Sequence, residues 1–179
     1  VMTAHAQRYL DYCHNRRKPQ LIIDTDPGQD DAAAILMALG LEKMGLLEVL
    51  ALTTVAGNVS LHNTSKNACV IADWAGRSDL GVYGGAEKPL IKPLITAQHV
   101  HGNNGLGGMQ LHKPKTPLKA LHAVAYIVDL LTHAEPYSIT ICAVGPLTNI
   151  AQMLSLAPEA ARGIKEIVIM GGSYFHPGN

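Results

Sequence analysis

The stretch Leu21-Ile22-Ile23-Asp24-Thr25-Asp26-Pro27-Gly28-Gln29-Asp30-Asp31 decides the fold that this sequence predicts. Its first three residues form a short apolar run with β-branched side chains, which is typical of a buried strand. The chain then turns at the proline and glycine. The segment that follows is rich in Ala, Leu, Ile and Met and has acidic residues at its start, as helices prefer. A strand, a glycine turn and a helix in direct succession indicate an α/β protein.

The rest of the sequence continues this alternation of strands and helices. Further strands are predicted at 49–55, 81–83, 138–144 and 166–170, and helices at 30–41, 61–75, 119–133 and 147–156. The segment 87–117 is rich in proline and glycine, lacks periodicity and is predicted to be a long functional loop. The alternation predicts a Rossmann-like, open, mainly parallel sheet with helices on both faces. Residues 1–18 are expected to be an N-terminal extension outside a single domain at 19–179.

The composition argues against several classes of partner. The chain has 179 residues, enough for one domain with a core, and its 14 Lys and Arg balance 14 Asp and Glu. That balance gives no electrostatic reason to expect nucleic acid or a membrane surface as a partner. The three cysteines are isolated from one another, and no apolar run approaches the roughly 18 residues that cross a bilayer. We therefore expect a cytoplasmic protein.

Four aspartates, Asp24, Asp26, Asp30 and Asp31, lie within eight residues where the first predicted strand ends. Side chains two residues apart on a strand share one side, and the turn brings the helix-start acids close to them. Carboxylates that close raise one another's pKa or require a cation, and helix-start amides offset only about 0.3–1 kcal/mol. Oxygen ligands without Cys or His favour Ca²⁺ or Mg²⁺. Helix capping and turn formation are the alternative interpretation for any one of these acids.

Polar and glycine residues also follow other predicted strands, at the edge of the sheet where ligands bind in such folds. Asn58 follows the second strand, 145–149 follows the fourth, and Met170-Gly171-Gly172 ends the last. His101 lies in the glycine-rich part of the long loop. Taken singly, each has a structural interpretation as a turn, a helix cap, a packing glycine or an exposed histidine. Their collection at separate strand ends predicts a site.

Together these segments resemble the inosine-uridine-preferring nucleoside hydrolase family. The resemblance covers residues 20–179, and its most specific part is 24–32, which is similar to the N-terminal signature of the family. Supporting motifs are Thr-Thr-Val-Ala-Gly-Asn at 53–58, His-Gly-x-x-Gly-Leu-Gly at 101–107, Val-Gly-Pro-Leu-Thr-Asn at 144–149, and Ile-Met-Gly-Gly at 169–172 leading to Gly178-Asn179. Five motifs in the family's order make coincidence a poor explanation.

The resemblance implies calcium-dependent hydrolysis of the N-glycosidic bond of ribonucleosides. Asp26, Asp31 and the main-chain carbonyl of Val144 match positions that hold Ca²⁺, and Asp26 also matches the general base for the attacking water. The transition state is oxocarbenium-like and is stabilised by nearby negative charge and by contacts to the ribose hydroxyls. The matching substrate positions are Asp30, Asn58 and Asn179 for the ribose hydroxyls, Met170 beside the sugar and His101 near the base. Asp24 matches an acid that orients the others from behind.

The sequence departs from the family pattern after its last motif. The family continues with further ribose ligands, the last carboxylate ligand of calcium and a histidine near the leaving base, whereas this sequence has no Asp after Asp129. The chain therefore resembles only the N-terminal part of the family domain. Either the rest of the domain exists beyond this sequence, or the chain is a natural truncation, which is expected to bind calcium poorly and to catalyse little. The expected partners are a small-molecule nucleoside and further copies of the chain in a dimer or tetramer.

Two alternative functions stay open at this point. A phosphatase of the haloacid dehalogenase type also places Asp-x-Asp after its first strand and binds Mg²⁺. It needs a later acidic pair and a Lys, however, and the last predicted strand ends in Met170-Gly171-Gly172 instead. A relative that binds ribosides without hydrolysing them would keep Asp26 and Asp31 equally well.

Overall fold

The computed structural model describes residues 18–175. The predicted extension at 1–18 lies outside the described residues except for Lys18, and so does Asn179, one of the predicted ribose ligands. Within the described part, no helix has the length and apolar character needed to span a membrane.

A parallel sheet of six strands forms the centre of the fold. In chain order the strands are β1 (Gln20–Thr25), β2 (Glu48–Thr54), β3 (Gly81–Gly84), β4 (Leu118–Lys119), β5 (Ile139–Ala143) and β6 (Ile164–Ile169). Across the sheet their order is β4-β3-β2-β1-β5-β6, and every pair of neighbours is parallel. This arrangement confirms the predicted α/β fold.

Helices connect the strands and cover both faces of the sheet. They are α1 (Gln29–Lys43), α2 (Leu61–Trp74), the short α3 (Gln98–His101), α4 (Ala123–His133) and α5 (Thr148–Leu156), with a 3₁₀ helix at Pro158–Gly163. Ile22 and Ile23 of β1 are both buried, and as successive strand residues they point to opposite faces. Ile23 shares a core cluster with Ile35 of α1 and Ile71 of α2, whereas Ile22 shares another with Ile127 of α4.

The prediction of a helix beginning at residue 119 is wrong by one turn. Leu118–Lys119 pairs with β3 as the two-residue strand β4, and the helix begins only at Ala123. His122 precedes that helix, and its Nδ1 accepts a hydrogen bond from the N–H of Val124 at 3.2 Å. Residues 118 and 119 pair with β3 and so are not helical, and this tertiary contact moves the start of the helix to Ala123.

The other boundaries differ from the prediction by smaller amounts. The predicted loop at 87–117 contains one short helix, α3, and the last strand begins at Ile164 rather than at residue 166. Each predicted strand and helix is otherwise present, shifted by at most two residues at its ends.

The order of strands reverses between β1 and β5. From β1 the chain adds β2, β3 and β4 on one side, and it then returns to place β5 on the other side. In folds of this kind ligands bind in the crevice at the reversal, outside the carboxyl ends of the strands. Two main-chain hydrogen bonds join the loops there, since the N–H groups of Val144 and Gly145 donate to the carbonyl of Asp24 at 2.9 and 3.1 Å.

Candidate active site

Asp31 is fixed by groups of the turn that precedes it. The hydroxyl of Thr25 donates to its Oδ1 at 2.7 Å, and the N–H of Gly28 donates to its Oδ2 at 3.1 Å. The side chain lies in the first turn of α1, where the positive end of the helix dipole favours an acid. The carboxylate is therefore buried and held in a single orientation.

Asn58 connects Asp31 to Asp26. Its N–H donates to Oδ2 of Asp26 at 2.7 Å, and its side-chain amide donates to the main-chain carbonyl of Asp26 at 3.0 Å and to Oδ2 of Asp31 at 3.3 Å. The residue sits after β2, whereas both acids follow β1. The structure thus brings together three predicted site residues from two strand ends.

Gly57 and Gly145 lie so close to Asp26 that a side chain at either position would press against it. A Cβ on Gly57 would overlap Oδ2 of Asp26 and would lie 2.9 Å from Cγ of Pro146. A Cβ on Gly145 would lie 3.0 Å from both the nitrogen and Oδ1 of Asp26. The glycines of the predicted motifs at 53–58 and 144–149 therefore allow two loops to close around one side chain.

Asp24 lies beneath this pair and is completely buried. Its Oδ1 accepts hydrogen bonds from the hydroxyl of Thr53 at 2.6 Å and from the amide of Asn149 at 2.8 Å. Its Oδ2 is buried and has no hydrogen-bond partner among the described residues. Sequence analysis included Asn149 in the polar segment 145–149 and in the motif at 144–149 but gave it no partner, because nothing local in the sequence indicates one 125 residues away.

A second buried asparagine, Asn67 of α2, belongs to none of the motifs that the sequence indicated. Its side-chain amide donates to the carbonyl of Pro27 at 3.0 Å and to the carbonyl of Asn104 at 2.7 Å. A Cβ on Gly105 would lie 2.8 Å from the Asn67 amide nitrogen. This amide therefore fastens the turn after β1 to the glycine-rich loop that carries His101.

Burial raises the pKa of all three buried carboxyl groups. It raises the pKa of Asp26 to about 7, the charge of Asp31 acts in the same direction, and the N–H of Asn58 opposes both. Burial raises the pKa of Asp24 to about 6 despite its hydrogen bonds from Asn149 and Thr53. Burial also raises the pKa of Asp31, against the hydrogen bond from Thr25. Negative charge is costly at this site, and a bound cation would offset that cost.

The fourth aspartate, Asp30, does not join the buried group. Its side chain is 57% exposed, and its Oδ1 lies 4.0 Å from Nε2 of His101. Nδ1 of that histidine lies 3.1 Å from Oε1 of Gln29, so the histidine covers the start of α1. Asp30 therefore differs from the other three acids in exposure, because it occupies the outer side of the first helical turn, but its charge still raises the pKa of Asp26 and Asp31.

The remaining predicted residues lie at the ends of β5 and β6. Val144 is half-buried directly after β5. Met170 is 55% exposed after β6, and its N–H donates to the carbonyl of Ala143 at 3.0 Å. Among residues 18–175 no three His, Cys, Asp or Glu side chains form a group that could hold a metal ion. The predicted calcium ligands would not form such a group, because only Asp26 and Asp31 contribute side chains and Val144 contributes its main-chain carbonyl.

A cleft of about 650 Å³ opens beside Asp26 and Asn58. Its lining also includes Pro146 and the proline-rich part of the predicted long loop, from Pro89 to Ile95. The cleft thus combines the carboxylate of Asp26 and the amide of Asn58 with a largely apolar remainder. A cleft of this size and lining suits a small molecule with a polar and an apolar end.

The sequence profile of the inosine-uridine preferring nucleoside hydrolases matches residues 21–179. The chain belongs to this family. This match favours the nucleoside hydrolase family over the phosphatase alternative, which the relatives named below do not support.

Individual relatives agree with the assignment. The chain is 44% identical over 161 residues to the inosine-uridine preferring nucleoside hydrolase of Leishmania major, which covers 89% of this chain and 50% of that protein. It is 42% identical over 161 residues to uridine nucleosidase 1 of Arabidopsis thaliana, covering 89% of this chain and 47% of the relative. The chain therefore spans about half the length of the curated nucleoside hydrolases that it matches.

Solved structures show the same fold. A plant nucleoside hydrolase, the PpNRh1 enzyme, superimposes with a TM-score of 0.78 at 38% identity, over 88% of this chain and 49% of that one. A purine-preferring ribonucleoside hydrolase from Gardnerella vaginalis superimposes with a TM-score of 0.78 at 32% identity, over 86% and 49%.

Proposed function

We propose that this site belongs to an enzyme that hydrolyses the N-glycosidic bond of ribonucleosides. The observation that carries the proposal is a pair of buried carboxylates, Asp26 and Asp31, held by one asparagine, Asn58, beside a cleft of about 650 Å³. Buried acids of raised pKa in a cleft are typical of sites where a charge or a proton is used. Membership of the nucleoside hydrolase family supports the same reaction.

The residues of the site fit Ca²⁺ as the cofactor. The carboxylates of Asp26 and Asp31 and the carbonyl of Val144 are oxygen donors, which this hard cation prefers. The buried Oδ2 of Asp24, which has no partner among the described residues, is a further polar group that a nearby cation would stabilise. When bound, the ion would orient the attacking water and lower the pKa of that water.

Asp26 is the proposed general base. Burial raises its pKa to about 7, so its carboxylate can accept a proton close to neutral pH. The N–H of Asn58 holds Oδ2, and Gly57 and Gly145 close on the carboxylate from both sides. The base is therefore held in one position before substrate arrives, which is the condition for efficient proton transfer.

Asn58 and Asp30 are the proposed ribose ligands within the described residues. The amide nitrogen of Asn58 is used in binding the two acids, and its Oδ1 has no hydrogen-bond partner in residues 18–175. That oxygen can accept a hydrogen bond from a ribose hydroxyl, as can the exposed carboxylate of Asp30. The roles of His101 near the base, Met170 beside the sugar and Asn179 at a ribose hydroxyl rest on the family resemblance.

Asp26→Asn tests the proposed base, because it keeps the shape of the side chain and removes its basicity. Ribose release from inosine or uridine by the full-length protein should fall by about 10²–10⁴-fold. The circular dichroism spectrum should stay the same. Asp129→Asn, at a side chain that is 73% exposed on α4, is the control and should keep the rate of the parent protein. Undiminished turnover in Asp26→Asn would refute the assignment.

A riboside-binding protein without hydrolytic activity is the second candidate. The observation that favours it is that Asp26, Asp31 and Asn58 are held together in the cleft region, which a protein that only binds ribosides would keep equally well. Calorimetric titration with inosine, in parallel with a ribose assay, separates the two functions. Heat of binding without ribose release would identify a binding protein, and release would identify the enzyme.

The proposal names ribonucleosides as a class and no preferred base. The related proteins are named for inosine and uridine, for uridine, for pyrimidines and for purines, so the family covers several bases. A cytoplasmic location and assembly into a dimer or tetramer stay predictions from the sequence.

A further inference from the structure

We propose that Asn149 is a positioning residue of this site, which holds three strand ends at the spacing that the site requires. The inference rests on the proposed function, because the groups that it spaces are the proposed base, ribose ligand and calcium ligands. It concerns a residue that touches none of the reacting atoms and acts through Asp24.

The side chain of Asn149 is completely buried and uses both ends of its amide. Its nitrogen donates to Oδ1 of Asp24, near the end of β1, at 2.8 Å, and to the carbonyl of Thr54, the last residue of β2, at 3.0 Å. Its oxygen accepts a hydrogen bond from the N–H of Ala86, just after β3, at 2.9 Å. One amide at the start of α5 therefore joins the carboxyl ends of three neighbouring strands.

Two of these strand ends, those of β1 and β2, carry proposed site residues, and Asn149 itself follows the turn after β5. Asp24 precedes the proposed base by two residues, and its carbonyl accepts the N–H groups of Val144 and Gly145. Thr54 lies four residues before Asn58 in the chain. Its carbonyl also accepts a hydrogen bond from the N–H of Gly85 at 2.9 Å. A displacement of the Asn149 amide would therefore change the distances between the loop after β1, the turn after β5 and the loop after β2.

The surroundings give this amide no substitute partner. Asn149, Asp24 and Thr54 are all fully buried, so a broken hydrogen bond leaves buried polar groups unpaired. Hydrogen bonds to a carboxylate in such a place are among the stronger ones in proteins. A general structural role predicts that loss of the amide weakens the whole fold evenly. A positioning role predicts that the strand ends loosen while the rest of the sheet stays protected.

Two adjacent glycines provide a matched pair of test variants. In Gly85→Ala the new Cβ would lie 2.6 Å from Nδ2 and 2.7 Å from Cγ of Asn149, so it must displace that amide. In Gly84→Ala the nearest atom is Oγ of Ser65 at 3.5 Å, an ordinary contact. Neither glycine has a positive φ, so the two variants differ in steric effect and not in backbone strain. Asn149→Leu removes the amide directly.

Hydrogen–deuterium exchange of the full chain is the first measurement. In Gly85→Ala and Asn149→Leu, exchange at Ala86, Val144 and Gly145 should be about tenfold faster or more, as loss of a buried hydrogen bond allows. Exchange in the middle of β1 and β5 should stay unchanged, and Gly84→Ala should resemble the parent protein. Equal exchange in Gly85→Ala and Gly84→Ala, or acceleration spread evenly through the sheet, would overturn the proposal.

Calcium affinity, measured by calorimetric titration, is the second measurement. Gly85→Ala should bind Ca²⁺ about tenfold more weakly than Gly84→Ala, because changes behind metal ligands have effects of that size. Equal affinities would count against a positioning role. Absence of Ca²⁺ uptake by the parent chain would count against the proposed metal site and not against the role of Asn149, which the exchange pattern alone then decides.

Discussion

Asp30 and Asp31 are neighbours in the chain but have opposite environments. Asp31 is 2% exposed and receives hydrogen bonds from Thr25, Gly28 and Asn58, whereas the side chain of Asp30 is 57% exposed and lies 4.0 Å from His101. A rotation of about 100° per residue along a helix is enough to separate them. Two identical residues thus have different proposed roles, one toward the metal and one toward the substrate.

Gly57 provides the sharpest prediction at the scale of single residues. Gly57→Ala should displace the Asp26 carboxylate, since the new Cβ would overlap its Oδ2. We expect calcium affinity, measured by titration, to fall by about tenfold or more because the ligand geometry is lost.

Gly40→Ala is the matched control for that variant. A Cβ at Gly40, inside α1, meets nothing within 4 Å, and alanine favours a helix over glycine by roughly 0.5–1 kcal/mol. Calcium affinity should stay unchanged and the free energy of unfolding should rise slightly. Equal calcium affinities in the two variants would show that Gly57 does not position the carboxylate.

Individual site residues were predictable where the signal was local. The spacing of acids after a buried strand and before a helix is enough to identify Asp26 and Asp31 as candidates. Asn67 and Asn149 could not be found in that way, because an asparagine in a helix gives no local sign of being buried. Their partners lie on other elements, and only the tertiary fold brings them together.

At the scale of elements, Asp73 fixes the end of the long loop onto α2. Its carboxylate accepts hydrogen bonds from the N–H groups of Lys115 and Thr116, from the hydroxyls of Thr116 and Ser78, and from Nε2 of His112. Burial alone would raise its pKa, but these donors outweigh burial and hold the pKa below its usual range. A helix end thereby orders a segment that sequence analysis predicted only as a loop.

Asp73→Asn should destabilise the fold in a pH-dependent way. Because the pKa is lower in the folded state, the carboxylate stabilises the fold above the unfolded pKa of about 3.9, and this contribution is lost as the pH falls below it. At pH 7 the loss of charged hydrogen bonds should cost about 2 kcal/mol of unfolding free energy. The difference from the parent protein, measured by urea denaturation, should shrink below about pH 4.

Asp79→Asn is the control for this prediction. Asp79 is 70% exposed and paired with Arg77, and an exposed ion pair contributes less than about 1 kcal/mol. A pH-independent difference between the parent protein and Asp73→Asn would contradict the proposed anchor.

Most elements were predictable because their hydrophobic patterns are long and regular. Strand β4 was not, because two residues carry no pattern and become a strand only by pairing with Val82 and Tyr83 of β3. The start of α4 was misplaced for the same reason. The segment 87–117 had no periodicity to interpret, and its order comes from contacts such as those of Asp73.

At the scale of the whole molecule, the alternation of elements was enough to predict a parallel sheet with two covered faces. It could not give the order of the strands. Strand β5 lies beside β1 although three strands and four helices separate them in the chain, and the core clusters that contain Ile22 and Ile23 cover the two faces of β1. The order of the strands depends on packing across the whole chain, and no local sequence pattern predicts it.

Strand β6 gives the prediction that belongs to this scale. It lies at one edge of the described sheet, and Val168 and Ile169, which point to opposite faces, are 52% and 53% exposed. An unpaired edge with apolar side chains favours association with other strands. We expect the purified chain to self-associate with rising concentration, as seen by light scattering, and Ile169→Lys to reduce this.

Met37→Lys is the control for that substitution. Met37 is 66% exposed on α1, away from the sheet edge, and it receives the same added charge. If both substitutions reduce association equally, net charge and not the edge of β6 would be the cause.

The hydrogen bond between Asn149 and Asp24 also affects the order in which parts of the site can form during folding. Its two partners are 125 residues apart, and contacts of such long range form slowly because the chain must first close a large loop. During synthesis the acids near the end of β1 emerge early. Strand β5 and the amide of Asn149, which contact this region, are made only after most of the chain. The acids of the site are therefore among the first residues to be synthesised, but their surroundings are completed only after residue 149 has been added.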